Sequence, residues 1–165
     1  MPEIKPDQPL LPSVLDRLLD YEPDVRHEPP RSSHQVLREL KQSVCRDLGN
    51  LLNTRIRCLP PPPELKELKQ SLVNYGIPDL TGASLATPKE REEFRKTIQN
   101  LISQNERRLK ELNVRLVDQS ESIDRTIRFR IVAVLQVEPA PEPIQFDSIL
   151  RLPTGLFEVK GEGNG

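Results

Sequence analysis

Apolar side chains recur every three or four residues along much of the N-terminal half of the chain, a spacing that predicts helices with one buried face. The clearest run begins at Ser32 and Ser33, whose side chains suit a helix N-cap, and continues to about Leu52. The positions that define its apolar face are Leu37, Leu40, Val44, Leu48 and Leu51, flanked by Val36 and Leu52. Gly49 lies inside this run, either because it packs closely against another backbone or because a glycine is tolerated near a helix end.

Two shorter amphipathic segments lie on either side of this helix. The first covers residues 13–19, with Ser13 as its cap. Its apolar face consists of Val14, Leu15, Leu18 and Leu19. The second follows a rigid run of four prolines at 60–63 and is predicted to end at Tyr75 and Gly76, where a glycine can adopt the left-handed C-terminal conformation. Its apolar side consists of Leu65, Leu68, Leu72 and Val73.

The sequence Thr87-Pro88-Lys89-Glu90 is typical of a helix N-terminus. Thr87 can cap the helix, Pro88 suits its first turn, and Glu90 stands where a capping box needs its acid. The pattern extends this helix to about Arg107. Its apolar residues are Phe94, Ile98, Leu101 and Ile102.

In the C-terminal part of the chain the apolar period changes from 3.6 to 2, which predicts strands. They are expected over 112–117, 127–137 and 144–152, followed by a short strand through Phe157 and Val159. Because helices come first and strands second, the predicted fold class is α+β. Its N-terminal helices would pack on a small antiparallel-rich β-sheet formed by the C-terminal half.

Chain length and the placement of proline and glycine predict the domain organisation. The 165 residues suffice for a single domain, predicted over 13–160. Residues 1–12 contain four prolines and are expected to form a flexible arm, and the glycine-rich residues 161–165 a flexible tail.

Charge and hydropathy narrow the class of partner. With 24 basic and 25 acidic residues the net charge is −1, so no general positive field attracts a polyanion and we predict no nucleic-acid partner. The alternative, an adaptor that binds nucleic acid through Arg128 and Arg130, would need a local basic patch. No apolar run approaches the ~20 residues that span a bilayer, and the N-terminal residues lack the basic and apolar stretches of a signal peptide. The chain is therefore predicted to be cytoplasmic, without direct membrane insertion.

The residues that carry chemistry form no recognisable constellation. Cys45 and Cys58, with His27 and His34, are too few and too unevenly spaced for a metal site, so we predict no metal and no cofactor. Cys45 lies beside apolar neighbours and is expected to be a buried free thiol, with a redox role as the alternative. The carboxylates at 90, 92 and 93 fall in the first turns of a helix, where they stabilise its dipole. We therefore predict that the protein is not an enzyme.

A small sheet has edge strands whose backbone groups can bind a further strand. Prolines at 139, 141 and 143 protect the connection before the third strand but leave the stretch from Ile149 to Leu152 untouched. We expect either a free edge there or an edge covered within the domain.

Two sequence motifs, SVCRDLGNLLNTR at 43–55 and SLVNYGIPDL at 71–80, resemble the TssE family of type VI secretion baseplate subunits. RLLD at 17–20 and the capped helix around 88–105 fit as well, so the resemblance covers about residues 13–160. It implies a structural subunit related to the small wedge proteins of contractile phage baseplates. Relatives sometimes carry a lysozyme label, which makes a peptidoglycan-cleaving enzyme the alternative.

The resemblance also implies partners and a location. These are the wedge proteins TssF, TssG and TssK and the sheath proteins TssB and TssC, with the VgrG spike as a further candidate. The subunit would dock through the baseplate at the inner, cytoplasmic face of the bacterial inner membrane.

Two binding regions follow from the resemblance. The family's Glu-Pro-Arg motif, expected to contact the wedge, matches Glu106, Arg107 and Arg108, so that arginine replaces the central proline and the preceding helix could continue a turn further. The C-terminal strands would exchange strands with the sheath and help to start its assembly. The predicted sheath-binding residues are Ile127, Phe129, Ile131, Ile149, Leu150 and Leu152.

Overall fold

The computed structural model describes residues 14–19, 23–24, 32–56, 62, 64–65, 67–68, 71–79, 85, 87–117, 126–137 and 140–161. The predicted arm at 1–12 lies outside these residues, as do Ser13, His27 and Cys58. Of the predicted tail only Gly161 lies among the described residues, and it pairs with Phe146 as the last residue of a strand.

The long N-terminal helix, α2, spans Ser33–Asn53 and confirms the predicted cap. The hydroxyl of Ser32 accepts from the N–H of Gln35 at 3.3 Å, and the Gln35 side chain accepts from the N–H of Ser32 at 2.9 Å. These two bonds satisfy amides that a helix N-terminus would otherwise leave unpaired. A Cβ at Gly49 would meet nothing within 4 Å, so close backbone packing does not account for this glycine.

The first helix, α1, spans Val14–Leu18 and contacts α2 through side-chain hydrogen bonds. One oxygen of Asp16 accepts from Ser43 Oγ and the other from Arg46 Nη2, both at 2.7 Å. The apolar residues of α1 are exposed, with Val14 at 74%.

The helix expected before Tyr75 is wrong for the residues that the structure describes there, which have 3-10 geometry at 67–68 and over Leu72–Asn74 and no α-helix. Side chains compete for the backbone in this stretch: Ser71 Oγ donates to the carbonyl of Leu68 and accepts from the N–H of Val73. Leu72, assigned to the apolar side, is 86% exposed.

The next helix, α3, spans Pro88–Asn105 and begins with the predicted capping box between Thr87 and Glu90. It ends two residues before the predicted limit, because Glu106 leaves helical geometry with φ −109° and ψ 88°. Its buried residues are Phe94, Ile98 and Ile102.

The four strands are antiparallel neighbours in the order in which they occur, which confirms the α+β prediction. They are β1 Leu109–Val117, β2 Thr126–Leu135, β3 Glu142–Arg151 and β4 Leu156–Gly161. Strand β1 starts earlier than predicted because a bulge interrupts its alternation: Glu111, with φ +51°, and Leu112 face the single residue Ala133.

Helices α2 and α3 pack on the sheet, α2 against β4 and α3 against β1. The inward residues of the two central strands are buried beneath them, as the alternation predicted. They are Phe129, Ile131, Ala133 and Leu135 on β2 and Ile144, Phe146 and Leu150 on β3. The Phe129 ring lies 5.9 Å from that of Phe94 on α3 and 6.1 Å from that of Phe157 on β4. Aromatic contacts therefore link the central strand β2 to α3 and to β4.

Candidate partner-binding site

The two motifs that carry the TssE resemblance meet in space. The N–H of Ile77 donates to the carbonyl of Thr54 at 2.8 Å, and the N–H of Ile56 donates to the carbonyl of Ile77 at 3.0 Å. The backbones approach so closely that a Cβ at Gly76 would lie 2.5 Å from the Thr54 oxygen. The chain after α2 is thereby fixed beside the segment that contains Tyr75.

A charged cluster lies where the chain passes from α3 to β1 and extends across α2. We call it the Arg108 cluster; its members are Asp16, Ser43, Arg46, Asp47, Glu106 and Arg108. The Arg108 guanidinium donates to Glu106 from Nε at 2.8 Å and from Nη2 at 2.5 Å. The same Nη2 donates to Asp47 of α2 at 2.5 Å, and Nη1 to Ser43 Oγ at 3.3 Å. The bonds to Glu106 and then to Asp47 raise the pKa of Arg108, so the group remains a cation. The Arg108 guanidinium thus joins the turn before β1 to the end of α3 and to α2.

The Arg108 cluster continues to α1 through Ser43, whose hydroxyl bonds to Asp16. Arg46 also pairs with Asp16 at 2.7 Å and approaches Asp47 at 3.5 Å. A row of alternating acidic and basic groups therefore runs across α2, from α1 to the start of β1. Since several of these groups are only partly exposed, they are screened less by solvent than ordinary surface pairs.

An open cleft of about 260 Å³ lies beside the cluster. Its lining residues are Asp47, Leu48, Leu51, Tyr75, Asn105, Glu106 and Arg108. Burial raises the pKa of the Tyr75 hydroxyl, and the negative charges of Asp47 and Glu106 raise it further. The cleft offers a neutral phenol and carboxylates already bound to a guanidinium, groups that can bind a polar partner.

The structure brings together two of the three residues predicted to bind the wedge. Glu106 and Arg108 pair with each other, and Glu106 is buried at 8% exposure. Arg107 is exposed in the turn between them. The expected extra helical turn is wrong: α3 ends at Asn105 although no proline follows Glu106.

The six residues predicted to bind the sheath lie on or next to the two central strands. Phe129, Ile131 and Leu150 are buried in the core. Of the two alternatives for the edge near Ile149, the structure has the covered one, because β4 pairs with β3 along that stretch, Ile149 with Glu158. Alternation identifies a strand but does not reveal which strand lies beside it.

Arg128 and Arg130, the residues of the nucleic-acid alternative, are both exposed on β2. Arg130 pairs with Asp147 of β3 at 2.9 Å, which offsets its charge.

Three residues of the site were not predicted from the sequence: Asp47, Ser43 and Asp16. Asp47 has the pattern of an ordinary charge on the polar face of a helix, and its partner Arg108 lies 61 residues further along. The nearest available signal was the position of Asp47 inside the first of the two motifs.

Among the described residues, no set of histidine, cysteine, aspartate and glutamate side chains could hold a metal ion. None of the helices in those parts of the chain combines the length and apolar character needed to cross a membrane.

The fold and the site together define a class of protein, a small α+β domain with a charged cluster where α3 is followed by β1. A family model described as baseplate wedge protein gp25 matches residues 38–140, which include both motifs and the Arg108 cluster apart from Asp16. The chain belongs to this family of baseplate wedge proteins. Its role is therefore structural, in the baseplate of a contractile injection system. Comparison with curated proteins and with solved structures found no match.

Proposed function

We propose that the protein is a TssE-like subunit of a type VI secretion baseplate that links the baseplate wedge to the contractile sheath. The observation that carries this proposal is the family match over residues 38–140, together with the two motifs that meet at Thr54 and Ile77. Residues 13–160 act as one baseplate domain, on the cytoplasmic side of the inner membrane.

The wedge contact is made by the Arg108 cluster and the cleft beside it. Within the chain, Arg108 is already bonded to Glu106 and Asp47, so its role toward a partner is to hold those carboxylates in position. The groups that meet the partner are the carboxylate oxygens that face the cleft and the exposed guanidinium of Arg107. The partner surface is formed by TssF, TssG and TssK, with VgrG at the centre of the assembly.

The sheath contact is made by addition of an extended segment of TssB or TssC to the sheet. Backbone bonds supply most of the affinity in such an arrangement, so it needs an outer strand with accessible N–H and C=O groups. Binding of the first sheath ring to the baseplate in this way would help to start sheath assembly.

Reconstitution with purified wedge and sheath proteins tests the proposal. We expect Arg107→Glu to weaken wedge binding while leaving the fold intact, because its side chain is exposed and bonds to no described residue. Arg38→Glu on the exposed face of α2 is the matched control, since it makes the same charge change away from the cleft and from the sheet.

A second variant addresses the buried acid. Glu106→Gln keeps the shape of the side chain but removes the charge that holds Arg108, and we expect weaker wedge binding from a chain that still folds. Unchanged wedge binding and sheath assembly in both variants would contradict the proposed wedge contact through Arg107 and the Arg108 cluster. Hydrolysis of purified peptidoglycan by the wild-type chain would contradict the structural role.

A further inference from the structure

Helices α2 and α3 pack on one face of the sheet, and the opposite face carries a concentration of positive charge. Alternation along β2 directs Arg128 and Arg130 away from the side on which Phe129 is buried, and the register extends this outward face to the other strands. We call it the basic face. Its charged residues, among those that the structure describes, are the basic Lys110, Arg115, Arg128, Arg130, Arg151 and Lys160 and the acidic Asp147 and Glu158.

This distribution of charge is uneven for a chain of this composition. The whole sequence has 24 basic and 25 acidic residues, whereas basic residues outnumber acidic ones on the basic face. Charge of one sign that is gathered on one surface attracts an oppositely charged partner even when the net charge of the protein is near zero. The basic face therefore favours an acidic partner, although the chain as a whole has no basic character.

The two acidic residues neutralise only part of this charge, because each already pairs within the face. The pairs are Arg130–Asp147 at 2.9 Å, Lys160–Glu158 at 3.1 Å and Arg151–Glu158 at 3.5 Å. Arg115 and Arg128 are exposed, and in the described parts of the chain no carboxylate pairs with either of them. Two guanidinium groups are therefore available to carboxylates of another molecule.

One pair of basic residues is placed where it works against the stability of the sheet. The register sets Arg115 of β1 directly opposite Arg130 of β2, and such cross-strand neighbours have Cβ atoms about 4.5–5.5 Å apart. Like charges in this arrangement are destabilising, so the charge of Arg115 does not serve the fold. A charge that costs stability at an exposed position is understandable if it binds a partner.

The spacing of these arginines fits carboxylates on one side of a helix. Neighbouring strands lie about 4.8 Å apart, and alternate residues of one strand, such as Arg128 and Arg130, about 6.7 Å apart. Side chains four residues apart on an α-helix have Cβ atoms about 5–6 Å apart, so two carboxylates one turn apart can reach Arg115 and Arg128 together. Hydrogen bonds between guanidinium and carboxylate groups are among the stronger ones in proteins. A helix packed on a sheet face is also a common arrangement of layers.

The same face suits a nucleic acid less well than a protein. Asp147 and Glu158 lie among the basic residues and would repel phosphate groups. Binding of single strands uses aromatic side chains on which bases stack, but the phenylalanines of the described strands are buried on the opposite side of the sheet. Half-buried Val132, Val134 and Ile149 lie between the charges and offer apolar contacts to a protein surface.

We propose that the basic face binds an α-helix of another protein subunit through carboxylates one turn apart, with Arg115 and Arg128 as the principal contacts. The Arg108 cluster extends across α2, on the other side of the sheet, so the basic face is a separate surface. The inference goes beyond the proposed wedge and sheath contacts, neither of which uses this face.

A helical peptide with glutamates four residues apart is the probe for this contact. It is titrated into the isotope-labelled full chain, and the backbone amide resonances locate its binding site. We expect resonances next to Arg115 and Arg128 to shift, with an affinity that falls as salt is added, and the same peptide with glutamine in place of glutamate to shift none of them. Shifts confined to other parts of the chain, or no shifts at all, would overturn the proposal.

Charge reversal identifies the residues that bind the peptide. Arg115→Glu/Arg128→Glu should weaken binding roughly tenfold, because two attractive pairs become repulsive. Arg38→Glu/Lys89→Glu makes the same charge change at exposed positions of the helices and should leave affinity unchanged. Equal weakening by the two double variants would reduce the effect to net charge and overturn the assignment. Tighter binding of a DNA duplex than of the peptide, at the same salt concentration, would overturn the proposed protein partner in favour of nucleic acid.

The stability of the free chain separates a binding role of Arg115 from a structural one. Arg115→Glu replaces the like-charge pair with Arg130 by an opposite-charge pair, so the melting temperature should rise by about 1–4 °C while peptide binding weakens. A structural role predicts a lower melting temperature instead. A fall in melting temperature for Arg115→Glu would therefore contradict the assignment of Arg115 to binding.

Zero-length cross-linking tests the contact in the assembled protein. Arg115→Lys and Arg128→Lys keep the charge and introduce an amine that a carbodiimide joins to a carboxylate in direct contact. In the complex reconstituted with purified wedge and sheath proteins, we expect both variants to cross-link at these positions to an aspartate or glutamate of another subunit, and Arg38→Lys to give no such product at position 38. Absence of the cross-link in both variants would overturn the proposal and leave the wedge contact, which Arg107→Glu tests, unaffected.

Discussion

The backbone N–H of Ile77 donates to the carbonyl oxygen of Thr54 at 2.8 Å, and this bond joins two motifs that are separated by a proline-rich stretch. The junction depends on Gly76, whose φ of +113° lies in a region that other residues rarely adopt. It also fixes Tyr75 at the edge of the cleft. Local backbone conformation and the geometry of the candidate site are therefore linked.

Gly76→Ala should destabilise the protein by about 2–4 kcal/mol. The new Cβ would lie 2.5 Å from the Thr54 oxygen, and the positive φ would add strain. Urea unfolding followed by circular dichroism measures the effect. A loss below about 0.5 kcal/mol would show that the junction relaxes without cost, contrary to the close approach seen here.

Gly49→Ala should act in the opposite direction, with a gain of about 0.5–1 kcal/mol. The position is helical and a Cβ there meets nothing within 4 Å, so the substitution mainly reduces the conformational freedom of the unfolded chain. Measured under the same conditions as Gly76→Ala, it separates a glycine required by geometry from one that is merely tolerated. Destabilisation at Gly49 would indicate a close contact that the structure does not contain.

The parts of the fold that the sequence predicted are those with local signals. Ser32 and Thr87 lie within three residues of the groups they cap, so both helix starts could be identified. The partner of Arg108 on α2, Asp47, is 61 residues away and has no local signal. The strand through Phe157 and Val159 was predicted, but not its pairing with Ile149, because a period of two specifies a face of the sheet and not its neighbour.

Arg108→Met should destabilise the chain by about 2–4 kcal/mol, because it leaves the carboxylate of Glu106 at 8% exposure without its cation. The double variant Glu106→Gln/Arg108→Met should recover part of that loss, since no buried charge is then unpaired. Thermal unfolding of the two single variants and the double variant completes the cycle. Additive losses would mean that the pair is not coupled.

Arg107→Pro should be tolerated, with a stability change between about zero and a gain of 1 kcal/mol. Glu106, with φ −109° and ψ 88°, already lies outside the α region that a residue before proline avoids, and the N–H of Arg107 makes no hydrogen bond to another described backbone group. Arg108→Pro is the contrasting variant, because the N–H of Arg108 bonds to Glu106 at 3.2 Å and its guanidinium holds the cluster. Equal destabilisation by the two prolines would contradict this account of the turn.

Asp47→Asn should lower the pKa of Tyr75 toward its usual value. Burial is the largest cause of the raised pKa and would remain, but the second cause, the charge of Asp47, would be removed. Because the folded pKa is raised, Tyr75 contributes stability that is fully present below the unfolded pKa of about 10 and is lost as pH rises through the folded value. In Asp47→Asn the unfolded pKa is unchanged, so the loss should still begin at about pH 10 but should end at a lower pH and be smaller.

Absorbance titration of the phenolate measures this shift, in a Tyr21→Phe background so that Tyr75 alone reports. Asp147→Asn is the matched control, because that carboxylate pairs with Arg130 and does not contribute to the raised pKa of Tyr75. A Tyr75 titration that is identical in Asp47→Asn and Asp147→Asn would show that the Asp47 charge does not reach the phenol. A downward shift confined to Asp47→Asn would establish that the Arg108 cluster and the cleft form one electrostatic unit, as a single binding surface requires.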